Sequence, residues 1–454
     1  MMLRLRMKWI RVFLLGVLGF ALFARAESRA AQPNVVVILA DDMGWGDVSR
    51  YGCTDYVTTN LDRIGKNGLT LVRAHTWPVC SPSRAALLTG MDPKRAGVPA
   101  VLMSGAAGIN TNTYTIAEHL KRNGYATALI GKWHLGFSNN ALPQARGFDT
   151  FFGHRGGEIN YTNYYYTSGA VYDLYDGITN VAASYTGQYS TRVFTDKAKT
   201  FIEAHTNGPF FLYLAYNAPH YPLYAPTNYT AMYTHIPFGN RRTFAAMVRA
   251  MDDGVGEVLD LLQARGLSSN TLVWFMTDNG AQTNQGGVNL PFRNQKFTLN
   301  EGGIHVPSMV QWPGHIPAAS TSDVLVQICD IFPTVSAAVS APVPPSLMLD
   351  GTNLFPVLTG AESEPDRSLI YFGDGSASRQ AGVTTDWKYI NTNGTAELYR
   401  MPSDVEESTN LAAANPDVTA AFALDLTNRW QSIARGLYWP HSNQPPVVQR
   451  AARP

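Results

Sequence analysis

Four short, nearly unbroken apolar runs punctuate the first two thirds of the chain: Asn34–Ala40, Tyr125–Ile130, Phe210–Tyr216 and Thr271–Thr277. They are shorter than an ordinary helix and rich in β-branched and aromatic residues, which predicts strands buried on both faces. Between them, Arg84–Thr89, Thr115–Arg122, Thr191–His205 and Thr243–Arg265 carry apolar residues at helical spacing. Strand alternating with helix predicts an α/β fold, with a large mixed, mostly parallel sheet sandwiched by helices. From about Leu369 the rhythm changes. Leu369–Phe372, Ala381–Thr385, Trp387–Ile390 and Glu397–Tyr399 are short strand-like pieces separated by turn residues. They predict a small antiparallel sheet, followed by a helix near Asp417–Arg435. The Pro-, Ala- and Val-rich stretch Ala337–Ser346 reads as the connection, which divides the chain into residues 27–345 and 346–454. Tyr161–Tyr175 reads as an exposed, tyrosine-rich loop.

Each long strand run is followed by polar residues. Asp41-Asp42 follow the first, Lys132 and His134 the second, His220 the third, and Asp278-Asn279-Gly280 the fourth. Ligands of open α/β sheets bind beyond the carboxyl ends of the strands, so these residues are expected to share one site.

Composition changes this picture little. A net charge of +1 gives no electrostatic argument for nucleic acid or an anionic membrane as partner. The first 26 residues read as a signal peptide: Arg4, Arg6, Lys8 and Arg11 precede the apolar run Val12–Ala24, and Ala24-Arg25-Ala26 resembles a cleavage site. No later run reaches the roughly 18 apolar residues of a membrane span. An exported protein follows: periplasmic or secreted, or lysosomal in a eukaryote. Three cysteines, Cys53, Cys80 and Cys329, make no disulfide framework. Cys53 and Cys329 could pair or could be buried apolar residues.

Asp41, Asp42, Asp278 and Asn279 are hard oxygen donors without Cys or His at zinc-like spacing, which favours Ca²⁺ or Mg²⁺ over zinc. Cys80 precedes Ser81-Pro82, a helix-start signal, and Arg84 lies one turn further on. A cysteine at a helix N-terminus beside an arginine is an anion cradle, and on these residues alone it suits a thiolate nucleophile as well as any other. Lys132 and His134, two apart in extended chain, share a face that can hold an anionic oxygen and move a proton, with Trp133 directed into packing. Lys296 lies in the glycine- and polar-rich loop from Gly286 to Gly303.

Together these residues resemble the type I sulfatases of the alkaline-phosphatase-like superfamily. Cys80-Ser81-Pro82-Ser83-Arg84 with Leu87-Leu88-Thr89-Gly90, Gly131–Gly136, Asn294–Pro307 and Asp386–Tyr389 carry the likeness, which runs from about Pro33 to about Leu411. The resemblance implies that a maturating enzyme oxidises Cys80 to formylglycine, whose hydrate attacks the sulfur of a sulfate ester. It implies Ca²⁺ held by Asp41, Asp42, Asp278 and Asn279, completed by residue 80. It implies Arg84 orienting residue 80, and Lys132, His220 and Lys296 binding sulfate. It implies that His220 protonates the leaving oxygen and that His134 is the base for sulfate elimination. Thr59 and His305 stand where the family has Pro and Arg. The expected substrate is a sulfated oligo- or polysaccharide, with closest likeness to N-acetylgalactosamine-4-sulfatases and polysaccharide sulfatases. His154, Arg155, Glu158 and Tyr164 are candidate sugar contacts, with Arg and His able to meet further anionic groups. The alternatives are a phosphodiesterase or phosphonate-ester hydrolase of the same superfamily, a catalytically dead sulfated-glycan binding protein, and an enzyme using the unmodified thiol.

Overall fold

In the computed structural model, which describes residues 32–363, 367 and 369–434, the apolar runs form the centre of a ten-stranded sheet. The expected signal peptide lies outside the described residues. In chain order the strands are β1 (Asn34–Ala40), β2 (Leu69–Leu71), β3 (Ala126–Lys132), β4 (Thr150–His154), β5 (Tyr175–Asp176), β6 (Thr179–Asn180), β7 (Phe210–Ala215), β8 (Thr271–Thr277), β9 (Ser308–Gln311) and β10 (Ser320–Ser322). They lie in the order β10-β2-β9-β8-β1-β7-β3-β4-β5-β6. The five central strands, β8-β1-β7-β3-β4, are parallel. Antiparallel pairs, β9 on β8 and β5 on β4, close the parallel block on each side.

Every residue of β1 is buried. Val35, Val37 and Leu39 point into one core, Val36, Ile38 and Ala40 into the other, the period-two alternation of a strand covered on both faces. Each such Val or Ile contributes roughly 1.5–3 kcal/mol relative to leaving it in water. Helices α1 (Thr59–Lys66), α4 (Ser190–Ala204) and α5 (Asn240–Ala264) cover the second core. Helices α2 (Cys80–Thr89), α3 (Ile116–Arg122) and α6 (Ile331–Ala338) cover the first. The Pro-Ala-Val connection therefore begins inside α6.

A capping box starts α3: Thr115 Oγ1 accepts from the Glu118 amide at 3.1 Å, and Glu118 Oε2 accepts from the Thr115 amide at 2.8 Å. Thr115→Ala removes one of the two bonds and should cost about 1 kcal/mol, read as a lower midpoint in denaturant at unchanged slope.

The C-terminal residues form a four-stranded antiparallel sheet, β11 (Ile370–Gly373), β12 (Arg379–Val383), β13 (Trp387–Thr392) and β14 (Thr395–Arg400), followed by α7 (Pro416–Ala434). Ile370, Phe372, Ala381 and Ile390 face the first core, while Leu369, Tyr371, Tyr389 and Leu398 pack with Phe422 and Leu426 of α7. The small sheet is thus held between the large domain and its own helix. Among the described residues no helix is long and apolar enough to cross a membrane.

Two readings need correction. Tyr161–Tyr175 is not simply an exposed loop: Tyr161, Tyr164, Tyr166 and Leu174 are buried in the second core. Their hydroxyls find partners there, Tyr161 on the Asn217 carbonyl at 2.6 Å and Tyr164 on that of Gln188 at 2.9 Å. A tyrosine ring buries as readily as a phenylalanine once its hydroxyl is bonded, which composition alone does not reveal. The strand expected to stop at Ile130 continues to Lys132, because Lys132, buried, is neutralised within the fold. Cys53, Cys80 and Cys329 are all free.

Candidate active site

The parallel register sets Ala40 of β1 beside Thr277 of β8, so the residues that follow each strand arrive side by side. The Asp278 amide donates to the Ala40 carbonyl at 3.1 Å, and the Asp42 amide to Asp278 Oδ1 at 3.2 Å. Asp41, Asp42, Asp278 and Asn279 are all buried. Asp42 adopts φ +64°, a left-handed conformation that a non-glycine residue holds only when its surroundings impose it.

Three cations answer the three carboxylates. Arg84, with no accessible surface, donates from Nε and Nη2 to Asp278 Oδ2 at 3.0 and 2.7 Å and lies 3.6 Å from Asp41. Lys132 Nζ reaches Asp41 Oδ2 at 2.6 Å, and Lys296 Nζ reaches Asp42 Oδ1 at 2.6 Å. His220 Nε2 stands 3.5 Å from Asp42 Oδ2. Burial pushes Asp278 up to about 6, with repulsion from Asp41 adding to it and Arg84 and Lys132 opposing. Burial acts on Asp42 in the same sense, but Lys296, His220 and the Asn279 amide outweigh it and hold that carboxyl below the ordinary range.

Helix α2 begins at Cys80 itself, after an extended Val79. Cys80 Sγ lies 3.2 Å from His134 Nδ1, and His134 Nε2 lies 3.0 Å from the Leu102 carbonyl. A carbonyl only accepts, so Nε2 carries the proton and Nδ1 presents its lone pair to residue 80. Burial first, then Lys132, push His134 down to about 3. The ring is therefore neutral, and its unprotonated nitrogen faces the sulfur. Ser81 Oγ accepts from the Leu102 amide at 3.1 Å, fixing the residue that orients His134. His134 has φ +54°, so Lys132 and His134 do not share a face as extended chain would have them. Lys132 turns to Asp41 and His134 to Cys80, with Trp133 in the first core between them. Gly131 is required here: with φ +111°, any Cβ would lie 1.9 Å from the Ala215 carbonyl oxygen of the neighbouring strand.

The donor set fits a hard divalent ion. Asp41 Oδ1 and Asn279 Oδ1 are buried acceptors with no hydrogen-bond partner. Asp41, Asp42 and His220 place ligand atoms within 4.8 Å of one another. Three carboxylates against Arg84, Lys132 and Lys296 leave the cluster near neutral, so a divalent cation would make it positive and ready for an anionic ester.

A cleft of about 260 Å³ opens onto Cys80, His134, His220 and Lys296, and Glu158 lines its wall. The other three sugar candidates are not on that wall. His154 is fully buried, the Arg155 guanidinium lies 3.6 Å from the Tyr175 ring centroid, and Tyr164 is in the core. Sequence reading missed Met103, Tyr221, Gln282, Gln285 and Phe297, which line the cleft. Phe297 holds φ +76° beside Lys296, half of its surface exposed.

Also missed was the clamp on the loop that carries Lys296. Lys388, on the small sheet and fully buried, bonds Glu301 Oε1 at 2.7 Å and Glu407 Oε1 at 2.8 Å. Arg293 donates to Glu397 at 2.6 Å and to the Glu407 carbonyl at 3.0 Å. His75 and His305 both turn to Glu301 Oε2, and their other ring nitrogens meet the Arg73 and Val72 carbonyls. His75, Glu301 and His305 could otherwise be a metal group, but those ring nitrogens and both Glu301 oxygens are already engaged. Glu301, His305 and Lys388 lie in segments that carry the family likeness, but nothing in their spacing joins Lys388, Glu407 or His75 to Glu301.

A sulfatase family model matches residues 33–341. Human N-acetylgalactosamine-6-sulfatase is 35% identical over 373 residues, 76% of this chain and 69% of that protein. Mouse arylsulfatase G is 34% identical over 410 residues, 79% of this chain and 75% of that one. The solved structure of Ps i-CgsB in complex with k-i-k-neocarrahexaose has a TM-score of 0.84 at 32% identity, covering 92% of this chain and 94% of that one. A phosphonate monoester hydrolase of Agrobacterium radiobacter, at 19% identity and TM-score 0.64, shares the fold. These names do not favour the 4-position anticipated from the sequence. With a family match across most of the described chain and named sulfatases a third identical to it, the chain belongs to the sulfatase family and is a sulfuric ester hydrolase of alkaline-phosphatase-like fold.

Proposed function

We propose that this enzyme, exported and matured by oxidation of Cys80 to formylglycine, removes sulfate from a sulfated oligo- or polysaccharide with Ca²⁺ as its metal. The observation that carries the reading is the convergence of both acidic pairs, Arg84, Lys132 and Lys296 within one cluster whose open side is residue 80. Asp41, Asp42, Asp278 and Asn279 would hold the ion. When bound, it supplies Lewis-acid stabilisation of charge on the sulfuryl oxygens and on an ionised nucleophile. Arg84, anchored on Asp278, orients the groups at the start of α2. Lys296 and His220, which line the cleft, would meet an anionic group entering it, and Lys132, buried on Asp41 behind them, would add its positive charge. His134 Nδ1 is placed to take a proton from a hydroxyl on residue 80, the Cys80 sulfur marking where that hydroxyl would begin. His220 Nδ1 faces the Tyr221 carbonyl and so carries a proton, and Nε2, 3.5 Å from Asp42 Oδ2, would donate to a departing alcohol only from the imidazolium, protonated on both nitrogens. The sugar specificity suggested by the relatives' names, N-acetylgalactosamine or a carrageenan-type oligosaccharide, defines the first substrates to try.

A desulfation screen over defined sulfated oligosaccharides tests the reading, with released sulfate as the readout. A matched phosphate or phosphonate ester turned over faster than every sulfate ester would overturn it in favour of the superfamily alternative. Chelation is a second check. EGTA-treated enzyme should lose activity and melt at least about 3 °C lower, both restored by Ca²⁺, because three buried carboxylates lose the cation they converge on. Unchanged melting and activity after verified metal removal would exclude a resident ion.

A further inference from the structure

Resting on the sulfatase reading, we propose that the cleft selects a sugar ring whose single anionic group is the scissile sulfate, with Glu158 disfavouring a second sulfate or a carboxylate on that ring. The charges on the cleft wall divide sharply. Lys296 and His220 turn inward to Asp42, and His134 turns to Cys80. These are the groups of the sulfate end. Beyond them the wall includes Met103, Tyr221, Gln282, Gln285 and Phe297, and apart from Lys296 and the histidines of the sulfate end, Glu158 is the one charged side chain among the described lining residues. Glu158 is half-buried and accepts from Ser168 Oγ at 3.0 Å. Among the described residues no Lys, Arg or His forms an ion pair with it. The cation beside it in sequence, Arg155, is spent on the face of Tyr175, and His154 lies buried, held well below its ordinary protonation range by burial and then by Lys132.

The carboxylate is also well placed and firmly held. Asp173 accepts from the Arg155 and Gly156 amides at 3.1 and 2.7 Å, pinning the turn before it. Gly157 packs so closely on His134 that a Cβ there would lie 2.7 Å from the imidazole. Glu158 therefore stands on a rigid turn against the ring that faces residue 80. Amides and aromatic edges suit the hydroxyls and C–H faces of a neutral sugar. An unpaired carboxylate accepts strongly from a sugar hydroxyl and repels an anion at the same place. A site built for doubly charged rings needs a second cation there, and the wall has the opposite charge.

The test uses the calcium-loaded Cys80→Ala protein, which binds without turnover. It is titrated calorimetrically with N-acetylgalactosamine and galactose, each as 4-sulfate, 6-sulfate and 4,6-disulfate. The better monosulfate of a sugar should bind at least about fivefold tighter than its disulfate, and adding Glu158→Gln should shrink that ratio below about twofold. Disulfates binding as tightly as monosulfates, a preference that survives Glu158→Gln, or no binding of any of the six, overturns the proposal. Sulfate release by the mature wild-type enzyme from any ester of the broader screen upholds the sulfatase reading whichever way the ratio falls, so the two fail separately.

Discussion

Cys80→Ala should abolish sulfate release, by a factor of at least about 10⁴, while leaving the protein folded. The side chain is small and sits at the start of α2, with His134 Nδ1 as its one hydrogen-bond contact among the described residues, so alanine there should cost little stability. Loss of the nucleophile leaves the cations and the metal able to bind an ester but without a group to attack it. The mature wild-type peptide spanning residue 80 should weigh about 18 Da less than its cysteine form, sulfur exchanged for oxygen and two hydrogens lost. The contact between Cys80 Sγ and a neutral imidazole nitrogen at 3.2 Å also suits a thiol nucleophile. An active preparation with the full cysteine mass would establish that alternative, and Cys80→Ala activity equal to wild type would remove residue 80 from the chemistry altogether.

Arg84→Met should cost about 3–5 kcal/mol of stability as well as activity, because it leaves Asp278 and Asp41 buried without their guanidinium. The side chain is fully buried and grips Asp278 Oδ2 through two nitrogens, a fork that lysine cannot reproduce. Arg84→Lys should therefore recover part of the stability and little of the turnover. The deficit should depend on pH in metal-free protein. Asp278 already stands at about 6, raised by burial and Asp41, and losing Arg84 raises it further. A carboxyl raised in the folded state adds stability below its unfolded value, and that contribution is lost as pH rises through the folded one. The variant should thus unfold with a smaller deficit near pH 5 than near pH 8. Denaturant midpoints at both pH values measure this, and equal stability of Arg84→Met and wild type would show that the carboxylates do not depend on the guanidinium.

How much of this could be read without coordinates differs from feature to feature. The runs Asn34–Ala40 and Thr271–Thr277 are strands to the residue, since a strand covered on both faces has no room for polar residues and its ends are marked by them. The C-terminal sheet was legible from turn residues between short apolar pieces, though β12 begins two residues earlier than its pattern suggests. The acidic pairs were legible as neighbours because parallel strands in register deliver their carboxyl-end residues to one edge. The burial of Tyr161, Tyr164 and Tyr166 was not legible, nor was the displacement of Arg155 onto Tyr175. Each depends on a partner whose position local spacing does not encode.

From the chain's own pattern came the α/β class, the helix start at Cys80 and the candidate set of cations and carboxylates, because hydrophobic period and strand-end polarity are local properties. Tertiary structure alone decided which cation meets which carboxylate: Arg84 with Asp278 across 194 positions, Lys296 with Asp42 across 254. It alone joined Lys388 to Glu301 and left Glu158, on the cleft wall, without an ion-pair partner among the described residues. Charges pair through space, and the packing of the two cores fixes those distances.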